Sequence, residues 1–258
     1  MKDEIKVALI QMDLAWERPQ DNLKLFDKHL EQLQSETDVV LLPEMFTSGF
    51  TMCPENVAEK MNGNTIQWML LWAKKHNTAV AGSLIIEEEG LYYNRFVWIN
   101  SDESIYFYDK RHTFTLAGED RAYQAGKNDG ILQFKGWKVC LRICYDLRFP
   151  VWSRNTMDYD LLVYVANWPS PRAHAWDTLL QARAIENMSY TLGVNRIGKD
   201  AKQNTYSGRS AVYDTLGATV VCATDKEGIF YATLNKSKQA TKRSQLNFLN
   251  DRDSFTLQ

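Results

Sequence analysis

The sequence predicts a single α/β domain, with two sheets and helices outside them. Two observations carry this. Apolar strand-like runs alternate with amphipathic helical stretches across all 258 residues, and no shift in composition marks a domain boundary. The strands are also too many, and the helices too few, for a TIM barrel.

Residues 6–11 form a short apolar strand. Residues 22–33 place Leu23, Phe26, Leu30 and Leu33 at helical spacing, with Asp21 as the cap. Residues 38–42 are an apolar run of the kind buried on both faces, ending at Pro43-Glu44. Asn64 caps a helix through residue 75 that carries Ile66, Trp68, Met69, Leu71 and Trp72. Residues 79–86 form another buried strand. Residues 91–100 and 104–109 alternate like strands of a hairpin or meander. Residues 111–129 are irregular, and a loop this long in a compact domain is usually functional or disordered.

Residues 131–134 pair with 138–143 through Lys135-Gly136-Trp137. In the second strand, Val139, Leu141 and Ile143 alternate against Cys140 and Arg142. It breaks at Tyr145-Asp146, and a helix is expected beyond Phe149-Pro150, with Pro in its first turn. Residues 159–166 form a buried strand ending in Asn167-Trp168-Pro169. Residues 172–188 are an amphipathic helix with Trp176, Leu179, Leu180, Ala182 and Ile185. Strands at 190–195, 210–214, 219–223 and 228–234 follow, and residues 236–258 read as a polar arm along the surface.

A formal charge of -2 with scattered basic residues gives neither a nucleic-acid footprint nor a polybasic membrane patch. Cys53, Cys140, Cys144 and Cys222 are widely spread, and no C-x-x-C pair exists. That speaks against a zinc site or a disulfide scaffold and fits reduced thiols in a cytoplasmic protein. The N-terminus enters a strand without a signal-peptide core. No apolar run approaches the ~20 residues of a membrane span.

Three reactive side chains stand at strand ends: Glu44, Lys110 and Cys144. In open α/β sheets, sites gather beyond the carboxyl ends of strands, so the three can converge. Cys144 sits at a strand-to-turn elbow, where the following N–H groups can hold an oxyanion. A carboxylate takes the thiol proton, and a lysine favours the thiolate and an oxyanion. Together they supply base, electrophile and nucleophile for acyl transfer from an amide. Taken singly, Cys144 also reads as a buried structural thiol, Glu44 as a helix-start charge and Lys110 as a solvated strand end. His29, His76 and His174 have no motif around them.

Leu42-Pro43-Glu44, Asp109-Lys110-Arg111-His112 and Cys144-Tyr145-Asp146-Leu147-Arg148-Phe149-Pro150 resemble the three signature blocks of the nitrilase superfamily, in its order and spacing. The runs 43–50, 151–155, 164–169 and 181–187 resemble its ω-amidase branch, the 2-oxoglutaramate amidases. The resemblance implies a four-layer α-β-β-α sandwich, usually a homodimer. It implies Glu44 as general base, Lys110 as oxyanion donor and Cys144 as nucleophile. Glu119 supports the lysine, and the Tyr145 backbone N–H is a second oxyanion donor. The substrates it implies are 2-oxoglutaramate and 2-oxosuccinamate, hydrolysed with no metal or organic cofactor.

Such a substrate carries a carboxylate, and Arg148 or Arg172 is the expected partner, beside Asn167 and Trp168. Arg148 could instead brace the elbow through an ion pair with Asp146. The dimer surface is expected on Phe149, Val151 and Trp152 and on the helix of Trp176, Leu179 and Leu180. The alternatives are another amidase or carbamoylase of the superfamily, or a catalytically silent scaffold.

Overall fold

Side chains alternate across a strand, so a strand that is apolar on both faces must be covered on both. The computed structural model, which describes residues 2–257, is built on that requirement. The chain runs β1 (Glu4–Gln11), α1 (Pro19–Leu30), β2 (Val39–Leu41), α2 (Asn64–His76), β3 (Ala79–Glu88), β4 (Leu91–Ile99) and β5 (Ile105–Asp109). A short helix α3 (Glu119–Ala122) leads to β6 (Ile131–Phe134), β7 (Trp137–Ile143), β8 (Leu161–Ala166), α4 (Ala173–Asn187) and β9 (Tyr190–Asn195). Next come the hairpin β10 (Ile197–Lys199) and β11 (Thr205–Ser207), then β12 (Ala211–Tyr213), β13 (Thr219–Cys222), β14 (Gly228–Asn235) and α5 (Lys236–Leu246).

There are two six-stranded sheets, in the orders β14-β1-β2-β3-β4-β5 and β13-β12-β9-β8-β7-β6. Val7 and Leu9, Val39 and Leu41, and Phe96 and Trp98 face inward from the first sheet. They pack against Val139 and Leu141, Val163 and Val165, and Leu192 and Val194 of the second. The opposite faces carry the helices. Phe26 of α1 and Met69 and Trp72 of α2 cover Ala8, Val40 and Val80. Trp176, Leu180 and Ala184 of α4 cover Leu162 and Tyr164. This is the four-layer α-β-β-α sandwich that the resemblance implies.

Several local expectations are corrected. α1 begins at Pro19, so Asp21 lies in its first turn and does not cap it. Gly63 precedes α2, and the cap is remote: Glu59 Oε2 accepts from the Thr65 N–H at 3.0 Å. No helix follows Pro150; residues 150–153 are turn, and 154–157 are irregular with a bend at 156–157. Phe149, preceding a proline, is held out of the helical region at φ −115°, ψ 86°. Asn155 then spends its side chain on Tyr159 and Asn187, which fixes an irregular path.

Trp176 and Leu180 are wholly buried against the second sheet and offer nothing to a partner. Irregular residues 111–129 contain α3 and a 3₁₀ turn at Thr115–Ala117. The hairpin of β10 and β11 was not expected. Over the stretch expected as an arm, α5 and a 3₁₀ turn at Phe248–Asp251 form; Gln258 lies outside the described residues.

β1, β2 and β3 run parallel, and β5 runs with them because two antiparallel steps separate it from β3. β7, β8 and β9 are likewise parallel. Glu44 lies beyond the end of β2, Lys110 follows β5, Cys144 follows β7 and Asn167 follows β8.

Candidate active site

Lys110 Nζ is almost wholly buried and donates to three carboxylate oxygens: Glu44 Oε1, Glu119 Oε1 and Glu119 Oε2, each at 2.9 Å. Buried charges persist only when paired and hydrogen-bonded, and each partner here is fully enclosed. The second Glu44 oxygen accepts from the Asn167 backbone N–H at 2.7 Å, and Asn94 Nδ2 donates to Glu44 Oε1 at 2.8 Å. Asn94 also reaches Glu119 Oε1 at 3.3 Å, and Ser83 Oγ holds its carbonyl oxygen at 2.9 Å. The Phe114 N–H completes Glu119, donating to Oε2 at 2.6 Å.

Local backbone geometry serves these contacts. Cys144 has φ 42° and Met45, just after Glu44, has φ 43°. Left-handed conformations in non-glycine residues cost on the order of 1–3 kcal/mol each and cluster at functional sites. The Met45 N–H is tied to Ser83 Oγ at 2.9 Å. Gly126 allows a close approach behind the lysine: a Cβ there would stand 2.1 Å from the Asp109 carbonyl oxygen. Its N–H donates to the Lys110 carbonyl at 2.9 Å.

The electrostatics favour a neutral thiol beside a fixed cation. Burial pushes the Cys144 thiol well above its ordinary range, and the Glu44 charge and its hydrogen bond push the same way, against Lys110. Burial pulls the Lys110 ammonium down, but Glu119 and Glu44 outweigh it and hold it above the usual lysine range. Burial also raises Glu119, although Lys110 opposes this.

Cys144 is half-buried and, with Lys110 and Tyr145, lines a cavity of about 250 Å³. Asn167 and Trp168 form part of its wall, and Arg148 and Arg172 also face it. The expected catalytic and substrate-binding residues are therefore in this cavity or, for Glu44 and Glu119, directly behind it through Lys110. The bracing role for Arg148 is corrected: Asp146 bonds Tyr108, His112 and Ile143, while the Arg148 guanidinium sits 4.9 Å over the Trp168 ring. Arg172 lies 5.5 Å over Phe114, and its carbonyl accepts from Trp168 Nε1 at 2.7 Å.

Sequence reasoning missed Asn94, Ser83 and the part of the cavity wall made by Asp200, Lys202, Asn204 and Tyr206 around the β10–β11 hairpin. Asn94-Arg95 was a readable signal, since a polar pair inside an apolar strand needs partners. Asp200 is turned into its own hairpin. Burial raises its pKa, but hydrogen bonds from Asn204 and Tyr206 bring it below the usual range. Among the described residues, no three His, Cys, Asp or Glu side chains gather to hold a metal ion.

The signature of the carbon-nitrogen hydrolase family matches residues 6–243. The chain belongs to the carbon-nitrogen hydrolase family. Among curated members, the omega-amidase YafV of Yersinia enterocolitica is 46% identical over 215 residues, covering 83% of this chain and 82% of that one. The 2-oxoglutaramate amidase of Bacillus subtilis is 31% identical over 250 residues, covering 95% and 96%.

A carbon-nitrogen hydrolase superfamily protein of Xanthomonas campestris, solved with an arsenic adduct in its active site, superposes with TM-score 0.97 at 38% identity over 100% of both chains. A member of the nitrilase superfamily from Saccharomyces cerevisiae shares the fold, with TM-score 0.85 at 23% identity over 95% of each chain. The resemblance of the signature blocks to this superfamily and its ω-amidase branch is thus borne out, and this carbon-nitrogen hydrolase is an enzyme. No helix among its described residues is long and apolar enough to cross a membrane.

Proposed function

We propose that the protein is an ω-amidase that hydrolyses the terminal amide of 2-oxo dicarboxylic acid monoamides, 2-oxoglutaramate and 2-oxosuccinamate. The supporting observation is the meeting of a half-buried thiol, a buried ammonium and a buried carboxylate at one cavity that two arginines also face. The relatives named omega-amidase and 2-oxoglutaramate amidase support the same reading.

In this mechanism Cys144 Sγ attacks the amide carbon while its proton passes to Glu44, because the raised thiol is not a preformed thiolate. The carbonyl oxygen becomes an oxyanion held by Lys110 Nζ and the Tyr145 backbone N–H. An ammonium has three protons; one shared between the two Glu119 oxygens and one given to Glu44 leave a third for the oxyanion. The tetrahedral species collapses, the C–N bond breaks, and the proton from Glu44 leaves with ammonia. Water then gives a proton to Glu44 and attacks the thioester, and that proton returns to the departing Cys144 sulfur. The products are the dicarboxylate and ammonia, and no cofactor takes part. Arg148 or Arg172 pairs with the substrate carboxylate, with Asn167 and Trp168 shaping the wall.

We further read the enzyme as cytoplasmic and homodimeric. Val151 and Ile185, each 50% exposed beside the elbow and on α4, are the apolar residues this assembly would cover. Sedimentation equilibrium at micromolar concentration tests the dimer.

The test of function is ammonia release from a panel holding 2-oxoglutaramate, 2-oxosuccinamate, N-carbamoyl amino acids and neutral aliphatic amides. The highest kcat/KM is expected for the two 2-oxo acids. Preference for a carbamoyl compound or a neutral amide would replace the substrate assignment, and no release at all would favour a silent scaffold.

A further inference from the structure

We propose that His112 is a positioning residue that sets the spacing between Lys110 and Cys144 through Asp146. The inference rests on the reading of those two as reacting groups. Lys110 belongs to one sheet and Cys144 to the other, so some contact has to register the two strand ends. Asp146 is the bolt. Its carboxylate is fully buried and accepts four hydrogen bonds. Oδ2 takes the Tyr108 hydroxyl at 2.7 Å and the Ile143 N–H at 3.0 Å; Oδ1 takes the His112 N–H at 3.0 Å and His112 Nδ1 at 2.8 Å.

Two of these partners, Tyr108 and His112, lie two residues before and two after Lys110. Ile143 and Asp146 itself bracket Cys144. One carboxylate thus clamps both reactive residues from either side.

His112 is the replaceable jaw of this clamp. A carboxylate only accepts, so Nδ1 carries the hydrogen in both the neutral and the charged ring. The ring lies flat on Phe149, with centroids 3.6 Å apart at 5°, and Phe149 in turn meets Tyr145, the residue after the nucleophile. Tyr108 is less open to substitution, because its oxygen also accepts from Trp152 Nε1 at 2.9 Å and the Arg111 N–H at 3.2 Å. The bland alternative is that His112 only fills space against Phe149.

His112→Phe keeps the stack and removes the donor. His112→Asn removes the ring and restores a donor on the atom bonded to Cγ. A misplacement near 1 Å costs up to about a hundredfold in rate, so kcat of His112→Phe is expected to fall roughly ten- to a hundredfold, with KM within about threefold. The rate of Cys144 alkylation by iodoacetamide, followed by mass spectrometry, should fall with it, and His112→Asn should recover most of both. Unchanged kcat and alkylation in His112→Phe would overturn the proposal, as would equal losses in the two variants.

If His112→Phe does not fold, the imidazole nitrogen shifts of the wild-type protein decide. Protonated Nδ1 supports the proposal, and a bare Nδ1 refutes it. Alkylation does not depend on the amide chosen, so a wrong substrate leaves this test intact. Absent labelling of wild-type Cys144 would instead count against the amidase mechanism itself.

Discussion

The backbone N–H of Asn167 donates to Glu44 Oε2 at 2.7 Å and joins the strand end of one sheet to the carboxylate of the other. Lys110 and Asn94 donate to the other oxygen. Glu44 is thus surrounded only by donors. Glu44→Gln keeps the shape, but its amide nitrogen faces a donor whichever way it turns. We expect kcat to fall by roughly 10⁴-fold or more. Stability should fall by about 1–3 kcal/mol, from one unpaired buried donor, with the circular dichroism spectrum retained. Activity within tenfold of wild type would remove Glu44 as the base.

The two arginines differ in how firmly they are held. Arg148 is exposed over Trp168, whereas Arg172 is half-buried and lies over Phe114. A charge-assisted hydrogen bond is worth ~1.5–3 kcal/mol, and more where water is excluded. The ratio of kcat/KM for 2-oxoglutaramate to that for a neutral amide of similar length should therefore drop about ten- to a hundredfold in Arg172→Met, and less in Arg148→Met. Ratios unchanged in both would mean that neither arginine reads the carboxylate.

Cys140 gives a stability prediction away from the chemistry. Burial pushes its thiol up to about 11, against the pull of Arg142. The unfolded chain therefore loses this proton first as pH rises. Its contribution is complete below the ordinary thiol range and disappears as pH climbs toward about 11. The loss over that window is on the order of 3 kcal/mol. Denaturant titrations at several alkaline pH values should show a steeper fall for wild type than for Cys140→Ala. Parallel slopes would contradict the shift.

Much of this was legible because period-two patterns and strand-end residues are local. Val139, Leu141 and Ile143 announce a face, and Glu44, Lys110 and Cys144 announce themselves by chemistry and position. What escaped was non-local. Asn94 acquires its meaning only when Glu44 and Glu119 arrive beside it. The β10–β11 hairpin is three residues a side and too short to show alternation. The helix expected after Pro150 failed because Trp152 and Asn155 bond inward, which no propensity encodes.

Glu44 and Lys110 ride on one sheet and Cys144 on the other. On the proposed mechanism, the first sheet alone, which β14 completes by pairing with β1, carries a base with no nucleophile, and the second sheet alone carries a thiol with no base. The protein is therefore expected to be latent until its two sheets dock, with turnover reporting that docking. In refolding, ammonia release should return only with the slowest structural phase. Activity appearing before the near-ultraviolet circular dichroism of the packed aromatic core would show that docking is not what completes it.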